Sequence, residues 1–330
     1  MSKAPEGTQA GEAQADGEQV VVPFDELPVL PGSGLRHSWQ VYPSGDQLGT
    51  LNRLTGAAVA GAAATVQTGE RVGLSLPLEL PDPPLFDREQ VRHTVLAAGR
   101  NTWDDRLDNL YPQASSQWDS LRHVRAREDG FYGGWQGNPD TDSERLGIQH
   151  WARRGIVGRG VLIDLAAGGG FDPFDHHVFE VADLQRALEF QHTTLRWGDI
   201  LCIRTGWVDR YLALDEAGRG ELAHRFEQPA QRSWAGLSGG EEMSRFLWDS
   251  GVAAVTCDNP AVEGAPGDPA VGSLHRRLIP CLGFALGELL DFTGLWPACQ
   301  QARRYEFLFA SVPLNLTGGV GSPASAVAVL

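Results

Sequence analysis

The stretch GRGVLIDLAA, Gly158 to Ala167, is an almost unbroken apolar run. A run without polar alternation predicts a strand buried on both faces. Outward from it the same kind of signal repeats. Asp183 stands as a plausible N-cap before LQRALEFQHT, which reads as a helix. GDILCIRTGW, Gly198 to Trp207, is a second buried strand, and EEMSRFLWDSG, Glu241 to Gly251, a helix. VAAVTCD, Val252 to Asp258, follows as a strand, and FLFASVPLNL, Phe307 to Leu316, and SAVAVL, Ser325 to Leu330, supply more. Upstream, AAVAGAAATVQTG, Ala57 to Gly69, predicts a short helix ending at a glycine, and ERVGLSLPLELP, Glu70 to Pro81, a strand. The expected architecture is one α/β domain over residues 21–330, with order beginning near Val21–Leu30. The first 20 residues are small and polar and carry no aromatic side chain, so they are expected to form a disordered tail.

Composition narrows the function classes. The chain has 330 residues, 42% of them hydrophobic, enough for a substantial core. A net charge of −15 argues against a nucleic-acid partner, which needs clustered Lys and Arg. The four cysteines, Cys202, Cys257, Cys281 and Cys299, have no CxxC spacing, which excludes zinc-ribbon and thioredoxin-type sites. No apolar run is long enough for a membrane span and no signal peptide opens the chain, so a cytoplasmic location is expected.

Several motifs fail on context. Gly236-Leu-Ser238-Gly-Gly240 matches the nucleophile elbow, but the residues before it predict no strand. Ser238 and Glu241 have instead the spacing of a capping box for the following helix. The glycines at 155–160 precede a strand rather than follow one, and Gly168–Gly170 lack a second glycine spacing, so a dinucleotide loop is not expected. Asp172, Asp175, His176 and His177 could hold a metal, but such a cluster is more often a solvated loop with one histidine satisfied by a backbone group.

The segment YPQASSQWDSLRH, Tyr111 to His123, carries more. If 113–119 is extended, Gln113, Ser115, Gln117 and Asp119 share one face, a polar face suited to lining a cavity. His123, four residues beyond Asp119, could return to that cavity on the first turn of a helix. An Asp beside a His is the minimum for a general base held in one tautomer, and it is equally the makings of a buried polar network without chemistry.

This segment resembles the HxGTHxDxPxH signature of the cyclase family that includes bacterial kynurenine formamidase and isatin hydrolase. The resemblance continues through GDQLGTLNRLT, similar to a DxxGTLN element, and through GERVGLSLPLELP, DILCIRTGW, VAAVTCDNPAVE, LHRRLIPCLGFALGELLDF and the closing FASVPLNLTGGVGSPASAVAVL, in family order. It implies a swivelling β/β/α fold and a divalent metal, zinc or manganese, that activates water. Position by position, Asp119 matches the signature's metal-binding aspartate and His123 its acid/base, while His275 and Glu288 match the late pair that completes the site. The two metal-binding histidines are replaced by Gln113 and Gln117. Ser115, Ser116 and Leu121 stand for the signature's Gly, Thr and Pro.

A carboxamide oxygen is a harder, weaker ligand than imidazole and favours Mg, Ca or Mn over zinc. The expected site therefore holds one divalent metal, manganese or zinc with magnesium as a further option, on Asp119, His275 and Glu288 with Gln113 and Gln117 as weak ligands. The alternative is a metal-free site in which the glutamines donate to a substrate carbonyl or oxyanion. Trp118, Arg204 and Trp207 are candidate substrate contacts, as is Trp39, and each of these aromatics is otherwise a core residue. The function expected is hydrolysis of a small cyclic amide, lactone or N-acyl substrate, with His123 and Asp119 as catalytic residues. The alternatives are a metal-independent cyclase, lyase or isomerase using His123 as base, and a non-catalytic small-molecule binding protein. The resemblance also implies a homo-oligomer, dimer or tetramer, while the acidic charge and the lack of a long apolar run predict no nucleic-acid or membrane partner.

Overall fold

The computed structural model describes residues 22–330; the tail expected over residues 1–20 lies outside the described residues. Thirteen strands are present among the described residues: β1 Arg71–Gly73, β2 Arg92–Gly99, β3 Thr102–Asp108, β4 Gln117–Asp119, β5 Ile156–Asp164, β6 His177–Phe179, β7 Ile200–Arg204, β8 Ala235–Leu237, β9 Ala254–Cys257, β10 Ala285–Glu288, β11 Glu306–Ser311, β12 Gly321–Pro323 and β13 Ala326–Val329. Nine form one sheet in the order β1-β13-β11-β5-β7-β9-β10-β4-β12. Its centre, β5-β7-β9-β10, is parallel, and the flanking strands are antiparallel. The central runs are apolar throughout because both faces are covered, and every residue of β7 and β9 is buried. A bridge between Ser75 and Leu290 ties the chain after β1 to the chain after β10, which curls the sheet.

Helices cover the faces: α1 Gly56–Ala63, α2 Gln149–Arg154, α3 Val181–Phe190, α4 Trp207–Leu212, α5 Glu216–Glu227, α6 Glu241–Asp249, α7 Leu274–Arg276 and α8 Leu295–Ala302. One large buried cluster runs from Phe24 to Leu330, and a smaller one gathers Leu76, Phe174, Trp207, Tyr211, Phe226 and Trp234. Gly49, in the GTLN element, shows why that motif needs glycine. Its φ is +58° and a Cβ there would collide with the Gly283 carbonyl, just upstream of β10.

Local details depart from the sequence reading. Asp183 is not the N-cap of α3 but its third residue. Glu180 caps the helix, and Asp183 accepts from the Glu180 N–H at 2.7 Å to close a capping box. Ser238 forms no capping box: Gly240 is the N-cap of α6, and Ser238 Oγ accepts only the Gly240 N–H at 3.4 Å. A short strand, β8, does precede Ser238, yet among the described residues Ser238 has no histidine partner. The strand expected over 70–81 shrinks to β1, since Pro77 and Pro81 lack the N–H that a ladder needs. His177 lies in β6 with its ring stacked on Phe171 at 4.8 Å, and Asp172 accepts from the Phe174 N–H. The four cysteines are free and buried.

Asp258, directly after β9, fixes the turn after β7. Its carboxylate accepts the Thr205 N–H at 2.7 Å, the Thr205 hydroxyl at 2.8 Å and the Gly206 N–H at 2.8 Å, which aims the chain into α4. Burial pushes this carboxyl up to about 6 despite those donors. Asp258→Ala strands two buried N–H groups, so urea unfolding should show a loss of about 2–4 kcal/mol. An unchanged midpoint would mean that the turn finds other acceptors.

Candidate functional site

In open α/β sheets, ligands sit beyond the carboxyl ends of parallel strands. Glu288 is the last residue of β10, and the antiparallel β4 places Gln117 directly opposite it, with Asp119 opposite Leu286. The two-residue period of a strand turns Gln117 and Asp119 to one face and Trp118 to the other. The full extension expected over 113–119 is absent: only 117–119 is strand, and a turn closed by Ala114 N–H on the Tyr111 carbonyl carries Gln113 back to the cluster. His123 likewise returns on a turn rather than a helix, its N–H bonded to the Ser120 carbonyl at 3.0 Å. Ser115 and Ser116 serve the scaffold. Ser115 Oγ donates to the Pro77 carbonyl, and Ser116 Oγ bridges the Leu289 carbonyl and the Leu76 N–H.

Six of the expected residues therefore converge. Asp119, His275 and Glu288 each offer a ligand atom, all within 4.8 Å of one another. His275 Nε2 lies 2.8 Å from Glu288 Oε1 and 3.9 Å from Asp119 Oδ2. His123 Nε2 is 3.6 Å from Asp119 Oδ2. Gln113 Nε2 donates to Asp119 Oδ1 and sits 3.1 Å from His123 Nδ1. Gln117 Nε2 donates to Glu288 Oε2 at 2.5 Å, while its Oε1 is buried without a hydrogen-bond partner.

Glu263 is the participant that residue-by-residue reading missed, although it closes the VAAVTCDNPAVE segment. Its carboxylate accepts from the Leu274 and His275 N–H groups, from Ser273 Oγ at 3.0 Å and from His275 Nδ1 at 3.2 Å. It thus fixes α7 and the imidazole together. Burial opposes charge on His275, but its hydrogen bonds to the Glu263 and Glu288 carboxylates hold it well above the usual histidine range. Burial works to raise Glu263, and the donors around it bring it below the ordinary glutamate value. Glu288 is pushed up by burial and by the neighbouring Asp119 charge, against the pull of His275.

This donor set fits a divalent ion. Glu263 on Nδ1 leaves Nε2 of His275 facing the two carboxylates, the carboxylate–histidine arrangement that orients a metal-ligating imidazole. The unpartnered Oε1 of Gln117, whose Nε2 already bonds Glu288, would add a hard oxygen to the two carboxylates and make the set richer in oxygen than a zinc site. A cleft of about 410 Å³ opens alongside, lined by Val178, Leu237, Ser238, Pro266, Val271 and by Glu263 itself.

The four expected substrate contacts lie elsewhere. Trp118 is fully buried behind β4, its Nε1 donating to Ser311 Oγ at 2.9 Å. Arg204 is consumed by Asp164 at 2.8 Å and Asp209 at 3.1 Å. Trp207 is fully buried and stacked on Tyr211 at 5.4 Å. Trp39 donates its indole N–H to the Pro280 carbonyl at 2.7 Å.

Comparison with known proteins agrees with this architecture. The Cyclase family model matches residues 72–264, which include Gln113, Gln117, Asp119, His123 and Glu263 but end before His275 and Glu288. A crystal structure described as a novel cyclase superposes with a TM-score of 0.79 at 29% identity, covering 92% of this chain and 100% of its own. Isatin hydrolase A from Labrenzia aggregata, bound to benzyl benzoate, aligns at TM-score 0.55 and 18% identity over 84% of this chain and 98% of its own. Isatin hydrolase A from Ralstonia solanacearum aligns at 0.56 and 16% over 82% and 95%, so both share the fold. No curated protein sequence matches. Among the described residues, no helix is long and apolar enough to cross a membrane.

Proposed function

Because the chain belongs to the Cyclase family, we propose that it is a hydrolase acting on the carbonyl of a small cyclic amide, lactone or N-acyl substrate, assisted by one divalent ion. The observation that carries this reading is the Asp119–His275–Glu288 cluster, backed by Glu263 and by the unpartnered Gln117 oxygen. Asp119, His275 and Glu288 would hold the ion, with Gln117 Oε1 as a further ligand. When bound, such an ion supplies Lewis-acid polarisation and acidification of water.

The chain's own groups do the rest. The Gln113 N–H donates to His123 Nδ1, and this direction assigns the remaining imidazole proton to Nε2, on the Asp119 side. His123 is partly open to solvent, with its side chain 31% exposed, so it can exchange that proton and serve as general acid and then base at the mouth of the cluster. The cleft is of a size for a small molecule, with Glu263 in its wall.

A second reading has its own observation. Both glutamine amides and His275 already donate to Asp119 and Glu288, so the carboxylates are satisfied without an ion and His123 could act alone as base. Metal analysis of tag-free protein purified without chelator separates the two. About one equivalent of manganese or magnesium, with hydrolysis of isatin, a lactone or an N-formyl amine lost on chelation and restored by Mn²⁺, is expected. Protein that binds no Mn²⁺ in titration yet turns over would move the reaction to His123.

A homo-oligomer is part of the same proposal, supported by the β2–β3 hairpin, which pairs with no other strand among the described residues. It leaves Val95, Leu96, Leu107 and Trp103 exposed, Trp103 at 65%, and an isolated two-stranded hairpin is marginal in water. Trp103→Asp is expected to lower the assembled mass measured by light scattering. An unchanged mass would place the interface elsewhere.

A further inference from the structure

A second recess, of about 390 Å³, is walled by Trp39, Tyr42, Pro43, Asp46, Tyr132 and Arg145. It lies away from the cluster. Tyr132 packs on Gly283, just ahead of β10, whereas Glu288 ends that strand, so roughly 10 Å of β10 separates the two places. The aromatic walls are fixed by their own polar ends. Trp39 donates its indole N–H to the Pro280 carbonyl at 2.7 Å, Tyr132 donates its hydroxyl to Asp46 Oδ2 at 3.3 Å, and Tyr42 Oη accepts from Arg53 Nε at 3.2 Å. Walls held in this way form a recess before any ligand arrives.

Arg145 is the unsatisfied member. Its side chain makes no hydrogen bond or ion pair among the described residues, and its Nε is buried without a partner. A Cβ on Gly45 would lie 3.9 Å from Nη1 and one on Gly133 3.8 Å from Nη2, and the two glycines hold φ values of 82° and 68°. The guanidinium therefore sits between two glycine turns that have no side chain to cover its terminal nitrogens. Asp46, the one carboxylate in the walls, is already engaged by the Leu48 and Gly49 N–H groups, by Asn52 Nδ2 and by the Tyr132 hydroxyl. We propose that this recess is a second binding site, for a small aromatic carboxylate, with the ring among Trp39, Tyr42 and Tyr132 and the charge gripped by Arg145. A planar guanidinium suits a carboxylate because it can donate two parallel N–H bonds. One free guanidinium beside a satisfied carboxylate matches a single negative charge. The acidic chain gives no long-range steering for an anion, so recognition has to be local. The site stands independently of the reaction proposed for the cluster.

Calorimetric titrations of the full-length protein test this with benzoate, with its uncharged isostere benzamide, and with acetate, which carries the charge without the ring. Benzoate is expected to bind saturably, and benzamide and acetate to bind at least about tenfold more weakly. Arg145→Gln should weaken benzoate by about tenfold or more, the loss of a charge-assisted pair, and Arg145→Lys should restore part of it. Asp119→Ala should leave this affinity unchanged, which keeps the recess apart from any binding at the cluster. Because the Arg145 side chain has no partner to lose, the melting curve of Arg145→Gln should match wild type. No saturable benzoate binding, or equal affinity in wild type and Arg145→Gln, would overturn the proposal. Binding lost in Asp119→Ala but kept in Arg145→Gln would overturn it too, by putting benzoate at the cluster. So would equal binding of benzamide, since the charge would then go unread, or of acetate, since the ring would.

Discussion

Replacing Asp119 by alanine is expected to strip the divalent ion from the purified protein and to slow hydrolysis by on the order of 10²–10³, the usual loss when a group aimed at the reacting centre is removed. Asp119 reaches three other members of the cluster: Gln113 Nε2 donates to one oxygen, and the other lies 3.6 Å from His123 and 3.9 Å from His275. Its removal leaves His123 without its acidic neighbour and the ion without one of three charged or imidazole ligands. Glu263→Gln provides the graded counterpart. Glu263 acts through His275 Nδ1, so its loss should cost 10–100-fold in metal affinity, the range for such outer partners.

The pH dependence separates a ligand from its support. His275 is held well above its ordinary pKa by its hydrogen bonds to Glu263 and Glu288, against the cost of burial. Metal binding at Nε2 displaces a proton, so apparent Mn²⁺ affinity should rise with pH, about tenfold per unit while that proton is still bound. Glu263→Gln removes one of the groups that raise the pKa, so its rise should end at lower pH even as the plateau weakens. Calorimetric Mn²⁺ titrations at several pH values read both effects. A pH-independent affinity in wild type would show that His275 is not a ligand.

How much of this was legible follows from the kind of signal each residue left. The strands β5, β7 and β9 could be read because both of their faces are buried, which removes any polar alternation from their sequences. Gln113, Gln117, Asp119, His123, His275 and Glu288 could be read as a group because the order of motif elements resembles the family signature, whose histidines stand opposite Gln113 and Gln117. Local spacing misled where turns did the work of regular structure, as at Gln113 and His123, which a strand face and a helix turn were expected to deliver. Trp118 takes the core alternative for a related reason: the same alternation that turns Asp119 into the site turns its neighbour inward. Arg204 sits at a strand end, where ligands bind, but it pairs with Asp209, five residues on in α4, and with Asp164 across the sheet on β5, a partner that no local spacing reveals. Glu263 left no periodic trace, because it acts through backbone N–H groups and an imidazole twelve residues on.

The glutamines make the sharpest prediction about metal identity. A Gln113→His/Gln117→His double variant is expected to bind zinc at least about 100-fold more tightly than wild type, since imidazole nitrogen is a strong zinc ligand and a carboxamide oxygen a weak one. The scaffold is prepared for the exchange at position 117. That side chain is already turned from β4 onto Glu288, and its amide oxygen is buried with no hydrogen bond to surrender. At position 113 the exchange also removes the amide N–H from Asp119 and from His123 Nδ1, which frees a carboxylate oxygen for the ion but releases the His123 tautomer. Zinc affinity and hydrolysis should therefore part company. Gln117→His alone should gain most of the affinity while keeping the Gln113–His123 contact, and the double variant should gain more and lose general acid/base efficiency. Competition with a chromogenic zinc chelator measures the first quantity, and the pH–rate profile with Zn²⁺ and with Mn²⁺ measures the second. If neither variant binds zinc more tightly than wild type, the glutamine positions do not face the ion, and the metal-free reading, with both amides serving as donors to the carboxylates, becomes the better account of this cluster.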